Sequence, residues 1–147
     1  MTNKNFLIIN GPNLNMLGTR EPEVYGSLTL GEIKVHTEEF FKESPKEVKI
    51  EWFQSNIEGE LVEKIQKASQ DQKLKALIIN PAAYSHTSVA IYDALCLLKI
   101  PIIEVHISNT HKRESFRQSK LTAKASTIIM EGLGKNAYLL AIKSQLL

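Results

Sequence analysis

Cysteine is almost missing from this sequence. Cys96 is the single one among 147 residues, so the chain can form no internal disulfide. Cys96 lies in an apolar stretch, where a small buried hydrophobe is expected rather than a nucleophile. Long apolar runs are also absent. Phe6 to Ile9 is too short for a signal-peptide core or a bilayer span, and no later run reaches membrane length. The expectation is a soluble, cytoplasmic protein with no membrane partner. Net charge is nearly lacking too: a formal +2 is too little to argue for nucleic acid or an anionic membrane. A small anionic substrate remains compatible with it.

Several motifs are missing as well. No Gly-x-x-x-x-Gly-Lys-[Ser/Thr] or Gly-x-Gly-x-x-Gly follows the first apolar run, and Gly132-Leu133-Gly134 is too short for a nucleotide fingerprint. His106 and His111 are five apart, which matches neither a strand face nor a helix face, so no metal site is expected. No Gly/Ser linker or charge block divides the chain, and one domain over 1–147 is the reading.

What is present is alternation. Phe6–Ile9, Ala76–Ile79 and Ile102–Val105 are continuous apolar runs of the kind buried on both faces of a parallel sheet. Thr127–Met130 is a further strand, and Val48, Ile50 and Trp52 alternate with polar residues as a strand nearer an edge would. Helical spacing appears at Leu30, Ile33, Thr37, Phe40 and Phe41; at Leu61, Val62, Ile65 and Ala68; and at Val89, Tyr92, Leu95 and Leu98. A short helical segment is expected around Arg113–Gln118 and a closing helix from about Asn136 to Leu147. Five strand–helix repeats predict an α/β fold: a flavodoxin-like five-stranded parallel sheet, order 2-1-3-4-5, with helices on both faces.

Ligands of such sheets bind beyond the carboxyl ends of the strands. Those ends are polar here: Asn10-Gly11-Pro12-Asn13, Asn80 leading to His86, and Glu104-Val105-His106-Ile107-Ser108-Asn109. If strands one, three and four are neighbours, Asn10 or Asn13, Asn80, His86, Glu104 and His106 converge on one crevice. An Asn at a strand end is also a turn former, and a lone loop His is often only solvated. Glu104 is harder to dismiss, because a carboxylate in an apolar run needs a partner. It shares a strand face with His106, the arrangement of an orienting carboxylate behind a working imidazole. The segment 11–26 is long for a strand-to-helix connection, and such excess is typically functional. It carries Arg20 and Tyr25. A guanidinium beside the phenol would favour phenolate and yield a base for a carbon acid; a packing or lid role for the tyrosine is the alternative.

The motifs resemble one family along nearly the whole chain. Ile9-Asn10-Gly11-Pro12-Asn13-Leu14-Asn15-Met16-Leu17-Gly18, then Arg20-Glu21-Pro22 and Tyr25-Gly26, is similar to the N-terminal signature of the type II 3-dehydroquinate dehydratases. Gln54-Ser55-Asn56, Glu58-Gly59-Glu60, the run Asn80 to Ser88, the run Ile103 to Asn109, and Arg113 with Phe116-Arg117 resemble the same family in the same order. The resemblance implies reversible dehydration of 3-dehydroquinate to 3-dehydroshikimate without metal or organic cofactor, a step towards chorismate and aromatic amino acids. It implies Tyr25 as base, Arg20 and Arg113 as cations beside it, and Asn13 holding a water or the enolate oxygen. It implies His106 as acid with Glu104 orienting it. Asn80, His86 and Arg117 match positions that bind substrate hydroxyls, and the backbone N–H groups of Ile107 and Ser108 match those that grip the carboxylate. Asp93 matches a residue that reaches a neighbouring subunit's site, so a homo-oligomer of trimers assembled into a dodecamer is implied.

Ile57 and Tyr92 depart from common family residues, and the segment from Gln118 to Ser126 matches poorly. Three other readings compete. A flavodoxin-like binding module for FMN or a phosphorylated ligand lacks its phosphate cradle. A receiver-like domain would need acidic residues where Asn10 and Asn80 stand. A non-catalytic homologue would not be expected to keep Asn13, Arg20, Tyr25, Glu104 and His106.

Overall fold

The computed structural model describes residues 4–19 and 21–147. Five strands, β1 (Asn5–Asn10), β2 (Lys49–Gln54), β3 (Leu74–Asn80), β4 (Ile102–His106) and β5 (Ile128–Glu131), pair in parallel in the order β2-β1-β3-β4-β5. The expected order and the edge position of the second strand are both found. Register aligns Asn10 with Gln54 and Asn80, so the ends of β1, β2 and β3 are flush. The helices are α1 (Pro22–Tyr25), α2 (Leu30–Phe41), α3 (Glu58–Ala68), α4 (Val89–Leu95) and α5 (Ala137–Ser144).

Period-2 alternation divides the central strands between two cores. Phe6, Ile8, Ala76, Ile78, Ile103 and Val105 point to the side covered by α2 and α5, where Ile33, Tyr138 and Ile142 complete the packing. Leu7, Ile9, Leu77, Ile79 and Ile102 point to the side of α3 and α4, against Leu61, Ile65, Ile91 and Leu95. The central strands are therefore apolar on both faces, which is why they read as unbroken runs. The fold is flavodoxin-like, with helices on both faces.

Three expectations about packing need correction. The buried face of α4 runs through Ile91, Ala94 and Leu95, whereas Val89 is 59% exposed. The apolar residues of this helix satisfy two overlapping stripes, and the sheet selects the one offset by two residues. Cys96, expected inside, is exposed because it follows α4 on the outward side. Phe40 is half exposed, with its ring edge-on to Phe41 and under the Lys143 ammonium. The segment expected to be helical around Arg113–Gln118 forms one short 3-10 turn, Ser115–Arg117, and a second such turn, Thr110–Lys112, precedes it.

The long connection after β1 is pinned rather than loose. Leu14 and Leu17 are buried in the α2/α5 core, Leu14 opening the 3-10 turn Leu14–Met16 and Leu17 directly following it. Gly11 is required by close approach: a Cβ there would lie 2.4 Å from the Pro81 carbonyl oxygen. Its N–H donates to the Asn80 carbonyl, tying the ends of β1 and β3 together (2.8 Å). Pro22 starts α1 with its φ already suited to a helix, and Gly26 ends it at φ 83°, directly after Tyr25.

Candidate active site

β4 supplies the first half of the site. Glu104 and His106 share the strand face that looks towards α3 and α4, and both are buried. The His106 Nε2–H donates to Glu104 Oε2 at 2.7 Å. The carboxylate also accepts from the Ser85 hydroxyl (3.0 Å, Oε2) and the Thr122 hydroxyl (2.5 Å, Oε1). Three donors thus satisfy a fully enclosed carboxylate, which would otherwise be costly to bury. With Nε2 held by Glu104, Nδ1 is the ring nitrogen left to exchange a proton with a ligand.

His86 lies alongside, its ring 6.5 Å from that of His106 and nearly parallel to it. Its Nδ1–H donates to the Ser119 carbonyl (2.8 Å). Burial lowers the His86 pKa. The Ser119 carbonyl opposes the shift, and nearby His106, Arg117 and Lys120 add to it. His86 is therefore neutral at pH 7, and its Nε2 lone pair can accept from a hydroxyl.

The second half comes from the long connection. Arg113 donates from Nη1 to the Tyr25 phenol oxygen at 2.6 Å, and its guanidinium carbon lies 4.9 Å from the centre of the Tyr25 ring. Glu21 and Glu114 flank the same guanidinium at 3.6 and 3.9 Å. Tyr25 packs on the α2/α5 core, on the opposite side of the sheet from the core above which His106 sits. Arg20, the other cation expected beside Tyr25, lies outside the described residues.

The asparagines divide their labour. Tyr138, fully buried beneath the sheet, donates its hydroxyl to Asn10 Oδ1 (2.5 Å) and accepts from Asn80 Nδ2 (3.2 Å). Burial raises the pKa of this phenol strongly. Asn10 turns inward and does not line the cavity, so of the two candidates at this strand end Asn13 is the one that does. Asn80 Oδ1 also accepts from Ala82 N–H (3.1 Å), holding Ala82 at φ 53°, a left-handed conformation that is costly for a residue with a Cβ. Asn13 is left-handed too, at φ 67°, which asparagine tolerates. Its N–H donates to Asn56 Oδ1 (2.9 Å), which also accepts from Gln54 (3.2 Å).

A cavity of about 140 Å³ gathers these groups: Tyr25, Arg113, His106, His86 and Arg117 all line it. Asn13, Asn80, Ile107 and Ser108 also line it. Glu104 stands behind His106 and does not line the cavity. Asp93 is exposed on α4 and is not among the lining residues of this chain. A wider depression of about 530 Å³ adjoins the cavity and shares Tyr25 and Arg113 with it. The hollow between α2 and β2 is larger, about 660 Å³, but it contains no imidazole, phenol or buried carboxylate. Size does not identify the site here; the paired titratable groups do.

Two residues in this arrangement escaped sequence reasoning. Ser85 and Thr122 each hold Glu104, yet Ser85 stood only as part of a motif and Thr122 lies in the poorly matching segment. The signal for them was indirect: a buried carboxylate needs hydroxyl or amide donors. That segment is well anchored. Gln118 Nε2 donates to the Thr110 carbonyl (2.6 Å), and Leu121 N–H donates to the Ser85 carbonyl (2.7 Å). Among the described residues, no group of three or more His, Cys, Asp or Glu side chains could hold a metal ion, and no helix is long and apolar enough to cross a membrane.

The sequence model of the family Dehydroquinase class II matches residues 4–146. The 3-dehydroquinate dehydratase of Hydrogenovibrio crunogenus is 53% identical over 138 residues, covering 94% of this chain and 93% of that protein. The 3-dehydroquinate dehydratase of Clostridium botulinum is 48% identical over 139 residues, covering 95% and 92%. The crystal structure of type II dehydroquinase from Butyrivibrio crossotus superimposes with a TM-score of 0.92 at 38% identity, covering 99% of both chains. With its sheet order, its superposition on a solved relative and its sequence in agreement, the chain belongs to the class II dehydroquinase family.

Proposed function

We propose that this chain is a 3-dehydroquinate dehydratase, a hydro-lyase that removes water reversibly from 3-dehydroquinate to give 3-dehydroshikimate. One observation carries the proposal: a cation-paired phenol and a carboxylate-paired imidazole line a single cavity. Elimination next to a ketone needs a base for the carbon acid and an acid for the departing hydroxyl, and these pairs supply both.

Tyr25 takes the proton adjacent to the ketone. Arg113 donates to the oxygen that must carry negative charge before that transfer, and Arg20 is assigned the same task from its family position. Asn13 holds a water or the enolate oxygen, a stabilisation aimed at charge that appears only during the reaction. His106 gives its proton to the leaving hydroxyl, and Glu104 fixes the ring and balances its charge. Asn80, His86 and Arg117 take substrate hydroxyls, and the backbone N–H groups of Ile107 and Ser108 take the carboxylate. Water leaves, a conjugated enone forms, and protons balance without metal or organic cofactor.

The same proposal makes the enzyme a homo-oligomer of trimers grouped as a dodecamer, working in the cytoplasm in the shikimate pathway. Exposed apolar Val89 on α4, which also carries exposed Asp93, and exposed Leu97 just beyond the helix support a neighbouring subunit there. Asp93 then completes the neighbour's site.

The test is to add 3-dehydroquinate and follow the ultraviolet absorbance of the enone. A rise with the native protein, and none with Tyr25→Phe of normal fold, is the expected result. No rise from correctly assembled native protein defeats the reaction, and substantial rate in Tyr25→Phe removes that residue as base.

A further inference from the structure

The segment 107–118 brings four parts of the proposed site into place: the backbone at Ile107 and Ser108, and the side chains of Arg113 and Arg117. It has little regular structure of its own beyond two 3-10 turns. Something outside it must fix its position against the cavity.

β5 ends at Glu131, which stands opposite His106 in the β4–β5 register. The Glu131 carboxylate accepts from the Thr110 backbone N–H (3.1 Å) and from the Thr110 hydroxyl. Lys120 Nζ lies 3.6 Å from one carboxylate oxygen and His111 Nδ1 3.4 Å from the other. The Glu131 and Lys120 side chains are only 16% and 8% exposed, so this pairing is screened far less than one at the open surface. Burial works against the charged form of Glu131. The two Thr110 hydrogen bonds, Lys120 and His106 outweigh it and hold the carboxyl below its ordinary value.

Thr110 passes the constraint on. It is buried, it lines the cavity, and its carbonyl accepts from both the Arg113 N–H (3.1 Å) and Gln118 Nε2 (2.6 Å). We propose that Glu131 is a positioning residue: its carboxylate clamps Thr110 and so sets where Arg113 meets Tyr25 and where Ser108 meets the ligand. Glu131 touches neither substrate nor reacting atoms. The role deepens the dehydratase reading and rests on it for its kinetic consequence alone.

The experiment compares native protein with Glu131→Ala and Glu131→Gln, by kinetics with 3-dehydroquinate and by amide hydrogen exchange without substrate. In Glu131→Ala, kcat is expected to fall about 10-fold or more, since misplacement of about 1 Å can cost 100-fold. Exchange should accelerate across residues 108–118 while the amides of β1 and β3 stay protected. Glu131→Gln keeps an oxygen acceptor for Thr110, so it should recover most of the lost rate. Unchanged kinetics and exchange in Glu131→Ala overturn the clamp. So does exchange that rises equally through the sheet, or a Glu131→Gln no better than Ala. Should Glu131→Ala not fold, Thr110→Val is judged by the same local exchange. Native protein inactive on 3-dehydroquinate defeats the dehydratase reading instead, and the exchange pattern still decides the clamp.

Discussion

Thr122 and Glu104 are 18 residues apart in the chain, and the hydroxyl of one donates to the carboxylate of the other at 2.5 Å. The contact joins the segment after the cavity to the centre of β4. Replacing Thr122 by Val keeps the shape and removes the donor. A buried acceptor left unsatisfied costs about 1–3 kcal/mol, drawn from whatever Glu104 does for His106. Thr122→Val is expected to lower kcat at least about 10-fold with a smaller change in KM. Thr122→Ser should restore it. Equal rates in native protein and Thr122→Val would show that Ser85 alone suffices.

Arg113 makes a directed hydrogen bond to Tyr25 and also lies over its ring. A lysine can supply the charge but not the planar fork or the stacking. Arg113→Met should lower kcat on the order of 100-fold, and Arg113→Lys should recover only part of that loss. Full activity in Arg113→Lys would reduce the interaction to a point charge.

His86 predicts a stability window. Its folded pKa lies below the ordinary value of about 6.5, so the unfolded chain binds the proton more readily. The contribution of neutral His86 is complete above 6.5, shrinks as pH falls, and is lost once pH passes below the folded value. Melting temperatures of native protein and His86→Gln, measured from pH 8 to pH 4, should converge or cross on acidification. A constant offset across that range would contradict the shift.

Gly11→Ala tests the closeness of β1 and β3. The new methyl would meet the Pro81 carbonyl, which is backbone and cannot swing away. Overpacking of this sort typically costs about 1–3 kcal/mol. Denaturant melts should show that loss, and kcat should fall too, because Pro81 directly follows Asn80 at the end of β3.

Sheet order was legible because each central strand is buried on both sides and reads as an uninterrupted apolar run. The Glu104–His106 pair was legible for a different reason: two residues two apart on one strand must share a face. Tyr25 could be suspected from its long connection, but its meeting with Arg113 depends on 88 intervening residues and no local pattern encodes it. Asn10 shows the limit from the other side. Its place at a strand end suggested a ligand contact, yet strand alternation sends its side chain down to Tyr138. Thr122 was hidden because a threonine that serves a buried carboxylate looks like any other threonine. The face of α4 was misread because apolar residues at 89, 91, 92, 94, 95 and 98 support more than one stripe, and only the sheet chooses.

The two packing cores have a consequence for how this protein tolerates change. Tyr25 leans on the layer beneath α2 and α5, whereas His106 rises above the layer beneath α3 and α4. The sheet acts as a partition between two supports, each carrying one partner of the proton exchange. A small void opened at Ile33 would be felt first by the phenol, and one opened at Ile91 first by the imidazole. Substitutions on opposite sides should then combine additively in their effect on rate, since each disturbs a separate mounting.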